Sequence, residues 1–147
     1  MSLRIRFGAP RANWLPLGVA SASIAFDEVL AASPSDPVHG IAEAALAAAS
    51  GQVGECVLFT EPETYALSFV PVPGGVRLEM KVWPDHRRVA HAGVRVFQST
   101  DTSDNVLVPV WRGLRELGGR WPATPSSWRA PFPSATVDKL GRALGAA

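Results

Sequence analysis

Glu61 and Glu63 flank Pro62 in the run Thr60-Glu61-Pro62-Glu63-Thr64-Tyr65, and they are the nearest thing in this chain to an acid/base pair. Two carboxylates do such work when burial or mutual repulsion raises one pKa. A Pro-centred reversal between strands is a wet tip, however, so the pair reads first as solvated and second as a binding contact. The histidines are His39, His86 and His91. His86 and His91 share a loop at an offset that fits neither one helix face nor one strand face, so zinc ligation is not indicated. Cys56 is the only cysteine, which excludes an intrachain disulfide and a multi-cysteine metal site. Beside Val57, Leu58 and Phe59 it reads as a small core residue; a reactive thiolate would need a neighbouring cation or a helix N-terminus. Gly74-Gly75 and Gly118-Gly119 lack the following Lys and Ser or Thr of a phosphate loop, and no Gly-x-Ser-x-Gly elbow occurs. The residues therefore nominate no catalytic group, no metal ligand and no cofactor.

A different pattern points to binding. In 76–83, Val76, Leu78, Met80 and Val82 alternate with Arg77, Glu79, Lys81 and Trp83, the period of a strand with one dry and one wet face. A slip of one residue would bury three charges, so the register is well determined. Arg95 from the next strand joins the wet face, and the loop residues His86, Arg87 and Arg88 extend it. Cross-strand charge pairs stabilise a sheet by about 0.2–1 kcal/mol, which makes a solvated face the plain reading. Arg and Trp are also enriched among interface hot spots, which makes a partner-binding face the sharper one.

These residues need elements to hold them. Leu3, Ile5 and Phe7 alternate with polar neighbours, predicting a first strand. Segments 14–20 and 23–30 also have strand character, with Pro16 and Gly18 suggesting an edge strand or a bulge. Ser35-Asp36-Pro37 is a helix start, and Val38, Ile41, Ala42, Ala45, Leu46 and Ala49 recur at helical spacing up to Gly51. That alanine-rich face predicts close packing across a meander of strands at 53–60, 64–70 and 76–83, followed by a strand at 93–99. Pro109 is read as the first residue of a helix through Val110, Trp111, Leu114 and Leu117, because Pro in a helix interior costs about 3 kcal/mol. Trp121 and Trp128 stand among four prolines in a segment predicted to wrap the domain as a lid, and Ser134 is read as the cap of a final short helix.

Composition sets the outer limits. A chain of 147 residues, 47% hydrophobic and 18% charged, fits one domain over 1–147, long enough to bury roughly two thirds of its unfolded surface. A net charge of +1 argues against nucleic acid as the partner, because polyanion binding needs a clustered cationic excess. No apolar run reaches the roughly 20 residues that span a bilayer, and Pro16 and Gly18 interrupt the apolar run after Arg4, Arg6 and Arg11 that would otherwise mimic a secretion signal. Arginine far outnumbers lysine, present only as Lys81 and Lys139, and alanine is abundant, as in a GC-rich bacterium. A reducing bacterial cytoplasm is the expected setting.

Trp14-Leu15-Pro16, Ser35-Asp36-Pro37 before the alanine-rich helix, Glu61-Pro62-Glu63-Thr64-Tyr65, Val110-Trp111-Arg112 and Trp128-Arg129-Ala130-Pro131-Phe132-Pro133 form a series. It resembles a group of uncharacterised bacterial proteins of about this length, a domain of unknown function. They share a mid-chain Glu-Pro-x-x-Tyr turn and a closing Trp-x-x-Pro-Phe-Pro. Ala130 departs from the polar or aromatic residue expected there. Some similar small proteins are encoded near secreted toxins, so the resemblance implies an immunity role by association; it carries no activity.

The resulting expectation is an α+β domain: a mainly antiparallel sheet of about six to seven strands, one helix packed on it, and two short C-terminal helices. Its function is expected to be non-enzymatic protein binding through Arg77, Glu79, Lys81, Trp83, Arg95 and the His86-Arg87-Arg88 loop, with toxin neutralisation as the most concrete form. One alternative is a small-ligand pocket or enzyme site under the Trp121 to Trp128 lid. Another is a scaffold that pairs an edge strand into a homodimer.

Overall fold

The computed structural model describes residues 3–85, 93–122, 127–128 and 130–145. Among them the elements run β1 (Arg4–Phe7), β2 (Trp14–Ala20), β3 (Ala25–Ala31), α1 (Pro37–Ala49), β4 (Gly54–Phe59), β5 (Thr64–Val72), β6 (Gly75–Trp83), β7 (Val94–Asp101), α2 (Ser103–Gly119) and α3 (Ser134–Ala143). The class is α+β, as the sequence patterns predict. The strands do not form the single sheet expected. They divide into an antiparallel sheet β1-β2-β3 and an antiparallel sheet β4-β5-β6-β7. The division falls where α1 intervenes. Most strand neighbours are joined by short reversals such as Pro73-Gly74, where Gly74 supplies the positive φ, whereas β3 and β4 are separated by a thirteen-residue helix.

α1 forms as its residues predict. The Asp36 carboxylate accepts from the Val38 N–H at 3.0 Å, Pro37 occupies the first turn, and Gly51 follows the end at a φ of +85°. Its alanines let β4 come close: a Cβ built at Gly54 would lie 1.9 Å from the Ala44 carbonyl oxygen, so no side chain fits there. Ile41, Ala42, Ala45, Leu58, Leu67, Phe69, Leu78, Met80 and Phe97 join Leu15, Leu17, Leu30 and the α2 and α3 residues Leu107, Leu114 and Leu140 in one buried cluster. Both sheets therefore share a single core, and each turns its other face outward.

Three local expectations are corrected. β2 is neither an edge strand nor bulged: it is central, with unbroken register to β1 and β3. Pro16 is tolerated because its carbonyl accepts from Gly8 N–H at 2.9 Å, which turns its nitrogen toward β1 just where β1 has ended. α2 begins at Ser103 instead of Pro109, with Thr102 as its cap accepting from the Asn105 N–H at 3.2 Å. Starting a turn and a half earlier buries Val106 and Leu107 completely, worth about 1.5–3 kcal/mol each, which together exceeds the roughly 3 kcal/mol cost of an interior proline. Ser134 is the first residue of α3; Pro133 stands at the cap, and no side chain bonds the first turn.

The described part of the tail is tightly seated. Trp128 is buried, and Trp121 packs edge-on to it at 6.0 Å and against Phe132 at 5.2 Å. Asn13 N–H donates to the Ser127 carbonyl at 2.9 Å, and the Arg120 guanidinium donates to the Phe7 carbonyl, so this segment is fastened to the ends of β1 and β2. Among the described residues no helix is long and apolar enough to cross a membrane.

Candidate functional site

The alternation along β6 places the predicted charged residues together. Glu79 lies between Arg77, whose Nε is 3.3 Å from one carboxylate oxygen, and Lys81, whose Nζ is 3.5 Å from the other. Arg95 stands opposite Lys81 beyond a register shift and donates to the Gln98 side chain. Trp83 shares the face by register but is buried, with only 6% of its surface exposed, so it offers no projecting anchor. His86, Arg87 and Arg88 lie outside the described residues. On this face Glu79 already has two cationic partners, and its side chain is only 14% exposed between them.

The Glu61-Pro62-Glu63 reversal joins β4 to β5. Glu61 is exposed, and Glu63 is half-buried, its carbonyl accepting from the Thr60 hydroxyl at 2.9 Å. The two carboxylates are not what the turn brings together. Tyr65, two residues on, points into the interior beside Phe26 of β3 and donates toward Glu28 Oε1 at 2.9 Å, with Glu63 Oε1 3.4 Å away. Burial, then the Glu28 carboxylate and then Glu63, raise the Tyr65 pKa above its ordinary value of 10. This cluster ties the two sheets together. Cys56 faces Gly40 of α1 in the core, and burial pushes its thiol up to about 12, so it is not a nucleophile at neutral pH. His39 lies 3.7 Å from the Asp36 carboxylate at the start of α1. Among the described residues no three His, Cys, Asp or Glu side chains could hold a metal ion.

A second open surface lies on β1-β2-β3, away from the residues singled out in the sequence. On the outer face of β1-β2-β3, Arg4, Ala20 and Ala25 form one row across the strands, and Arg6, Gly18 and Asp27 the next. Pro16 and Val29 form a third, and Trp14 and Ala31 a fourth. At Gly18 and Ala20 the central strand presents almost no side-chain bulk, so the longer side chains on β1 and β3 become the rims of a trough of about 740 Å³. The β1 rim is cationic, through Arg4 and Arg6. The β3 rim carries Asp27, whose carboxylate leans over the floor: a Cβ at Gly18 would meet its Oδ1 at 2.8 Å. Among the described residues Arg4, Arg6 and Asp27 form no ion pair. Trp14 and Val29, which the register places on this face, are both exposed by more than a third.

The signal for this site is present but inconspicuous. Antiparallel strands with one wet face alternate apolar and polar residues, and the outward positions of β2 are Trp14, Pro16, Gly18 and Ala20, with no polar side chain among them. Pro16 and Gly18 are equally the residues of an edge strand or a bulge, and that masks the pattern. The chain matches no family model, no curated protein and no solved structure.

Proposed function

We propose that this chain is a non-enzymatic protein-binding module whose partner docks on the outer face of β1-β2-β3. The observation that carries the reading is the composition of that face: Trp14, Pro16, Gly18, Ala20, Ala25 and Val29 stand where a solvated sheet would present polar groups. Apolar surface left in water marks interaction sites, and Trp and Arg are favoured residues at their centres. Trp14 with Arg4 and Arg6 supplies both. On the face of β6, Glu79 is already paired to Arg77 and Lys81 and Trp83 is buried, so little apolar surface is left there for a partner. Toxin neutralisation in a bacterial cytoplasm is the most concrete form of this reading, and it comes from the sequence resemblance alone.

The test is affinity capture from the cells that make the protein, using the wild type, Val29→Glu and the double exchange Arg77→Glu, Arg95→Glu. Val29 is 46% exposed, so a charge there should change stability by no more than about 0.5 kcal/mol. The partner is expected on the wild type and on the double variant, and to be lost from Val29→Glu. Equal recovery by Val29→Glu removes the assigned face, and loss confined to the double variant moves the site to β6.

A further inference from the structure

The trough on β1-β2-β3 has dimensions and charges that select among protein partners. Its rims are two strand spacings apart, roughly 10 Å, and its floor from Pro16 to Ala20 runs for about 13 Å. A second copy of the same sheet fits poorly. Each face is hollow along its middle, so two copies set face to face would enclose a void where they should pack. An extended segment would gain its hydrogen bonds at a strand edge and not on a face. A helix, about 10–12 Å across with its side chains, matches the width. The molecule already uses the same device inside: the small residues of α1 and Gly54 let a helix lie close on β4.

The rims set the polarity. Arg4 and Arg6 are alternate residues of one strand, so their outward side chains rise about 6.7 Å apart. Two residues four apart on a helix are separated by about 6 Å along its axis and share one side. Asp27 stands on the opposite rim, in the row of Arg6. We infer that the occupant of the trough is a partner helix that lies along β2. It sets two acidic residues at i and i+4 against Arg4 and Arg6, a basic residue toward Asp27, and small or apolar residues on the Gly18 and Ala20 floor. This rests on the protein-binding reading above and adds the chemistry of the segment that is bound.

A photo-crosslinking residue placed at Ala25, in the full chain and in the source cells, reports what enters the trough; the crosslinked segment is then identified by mass spectrometry and synthesised as a peptide. The expected segment is helical in pattern with acids at i and i+4. Its peptide should bind the wild type roughly tenfold more tightly than the Arg4→Glu, Arg6→Glu variant, and a peptide with both acids changed to Lys should restore binding to that variant. Gly18→Leu raises the floor at a strand position without a positive φ; it should abolish peptide binding while the thermal midpoint is kept. Several outcomes overturn the inference: a segment without the paired acids, a change of less than about twofold on reversing both arginines, or undiminished binding to Gly18→Leu. Those results leave the protein-binding reading standing. Crosslinks only to a second copy overturn the inference in favour of a homodimer, and no crosslink at all removes both the helix and the docking face.

Discussion

Tyr65 joins the two sheets through its own side chain. It lies on β5, stacks edge-on against Phe26 at 5.0 Å and sends its hydroxyl to Glu28, so one residue bonds β5 to β3 across the boundary between the sheets. A buried phenol that donates to a carboxylate resists ionisation, and its pKa is raised above 10 by burial and by Glu28. The raised value sets the sign of the pH dependence. Below pH 10 the phenol is protonated in both folded and unfolded chains, and the contribution is fully present. Above it the unfolded chain gives up its proton first, and stability falls as pH rises toward the folded pKa. Because Tyr65 is the only tyrosine, spectrophotometric titration reads it directly. The phenolate transition should appear above the ordinary range and coincide with unfolding. Tyr65→Phe should cost about 1–2 kcal/mol in urea denaturation at pH 7 and flatten the alkaline loss of stability. A phenol that titrates near 10 in the folded protein would contradict the buried bond to Glu28. The Glu28 contact could not be read from sequence, because it joins residues 37 apart across two sheets whose packing no local pattern specifies.

At the scale of elements, α2 shows burial overriding propensity. Pro109 lies inside the helix, and the extra turn and a half before it is held by Val106 and Leu107 in the core and by the Thr102 cap. If that balance is right, Pro109→Ala restores the missing N–H and should stabilise the protein by about 1–3 kcal/mol, raising the urea midpoint without changing the slope. Destabilisation would mean that the half-buried proline ring packs better than the balance allows. The boundaries that were legible in the sequence are those with local chemistry. Asp36-Pro37 starts α1, Gly51 follows its end, and the alternation of Val76, Leu78 and Met80 with Arg77, Glu79 and Lys81 fixes β6. The boundaries that were not legible depend on what lies across the interface. Nothing near Pro109 says that Val106 and Leu107 will find a core, and nothing near Pro16 says that β1 will have ended beside it. The split into two sheets was hidden for the same reason: each hairpin is local, but the point at which one meander stops pairing with the next is a property of the whole chain.

For the whole molecule, the two outer sheet faces carry the functional question. The face of β6 and β7 was readable from alternation, and Arg77, Glu79 and Lys81 do lie together there, with Glu79 paired on both sides. The face of β1-β2-β3 was not, because its distinguishing feature is the lack of bulk at Gly18 and Ala20, and hollows register only once the neighbouring strands are placed. Its apolar floor, its unpaired rims and the exposed Trp14 and Val29 support docking of a partner on that side. Hydroxyl-radical footprinting of the protein, free and in its captured complex, tests this most directly, because Trp14, Ile24 and Val29 are reactive or countable by mass spectrometry in the free chain. Oxidation of Trp14 and Val29 is expected to fall severalfold in the complex while that of Val94, at the start of the edge strand β7, is unchanged. Protection of Val94 with Trp14 still fully reactive would place the partner on the other sheet and contradict docking on β1-β2-β3.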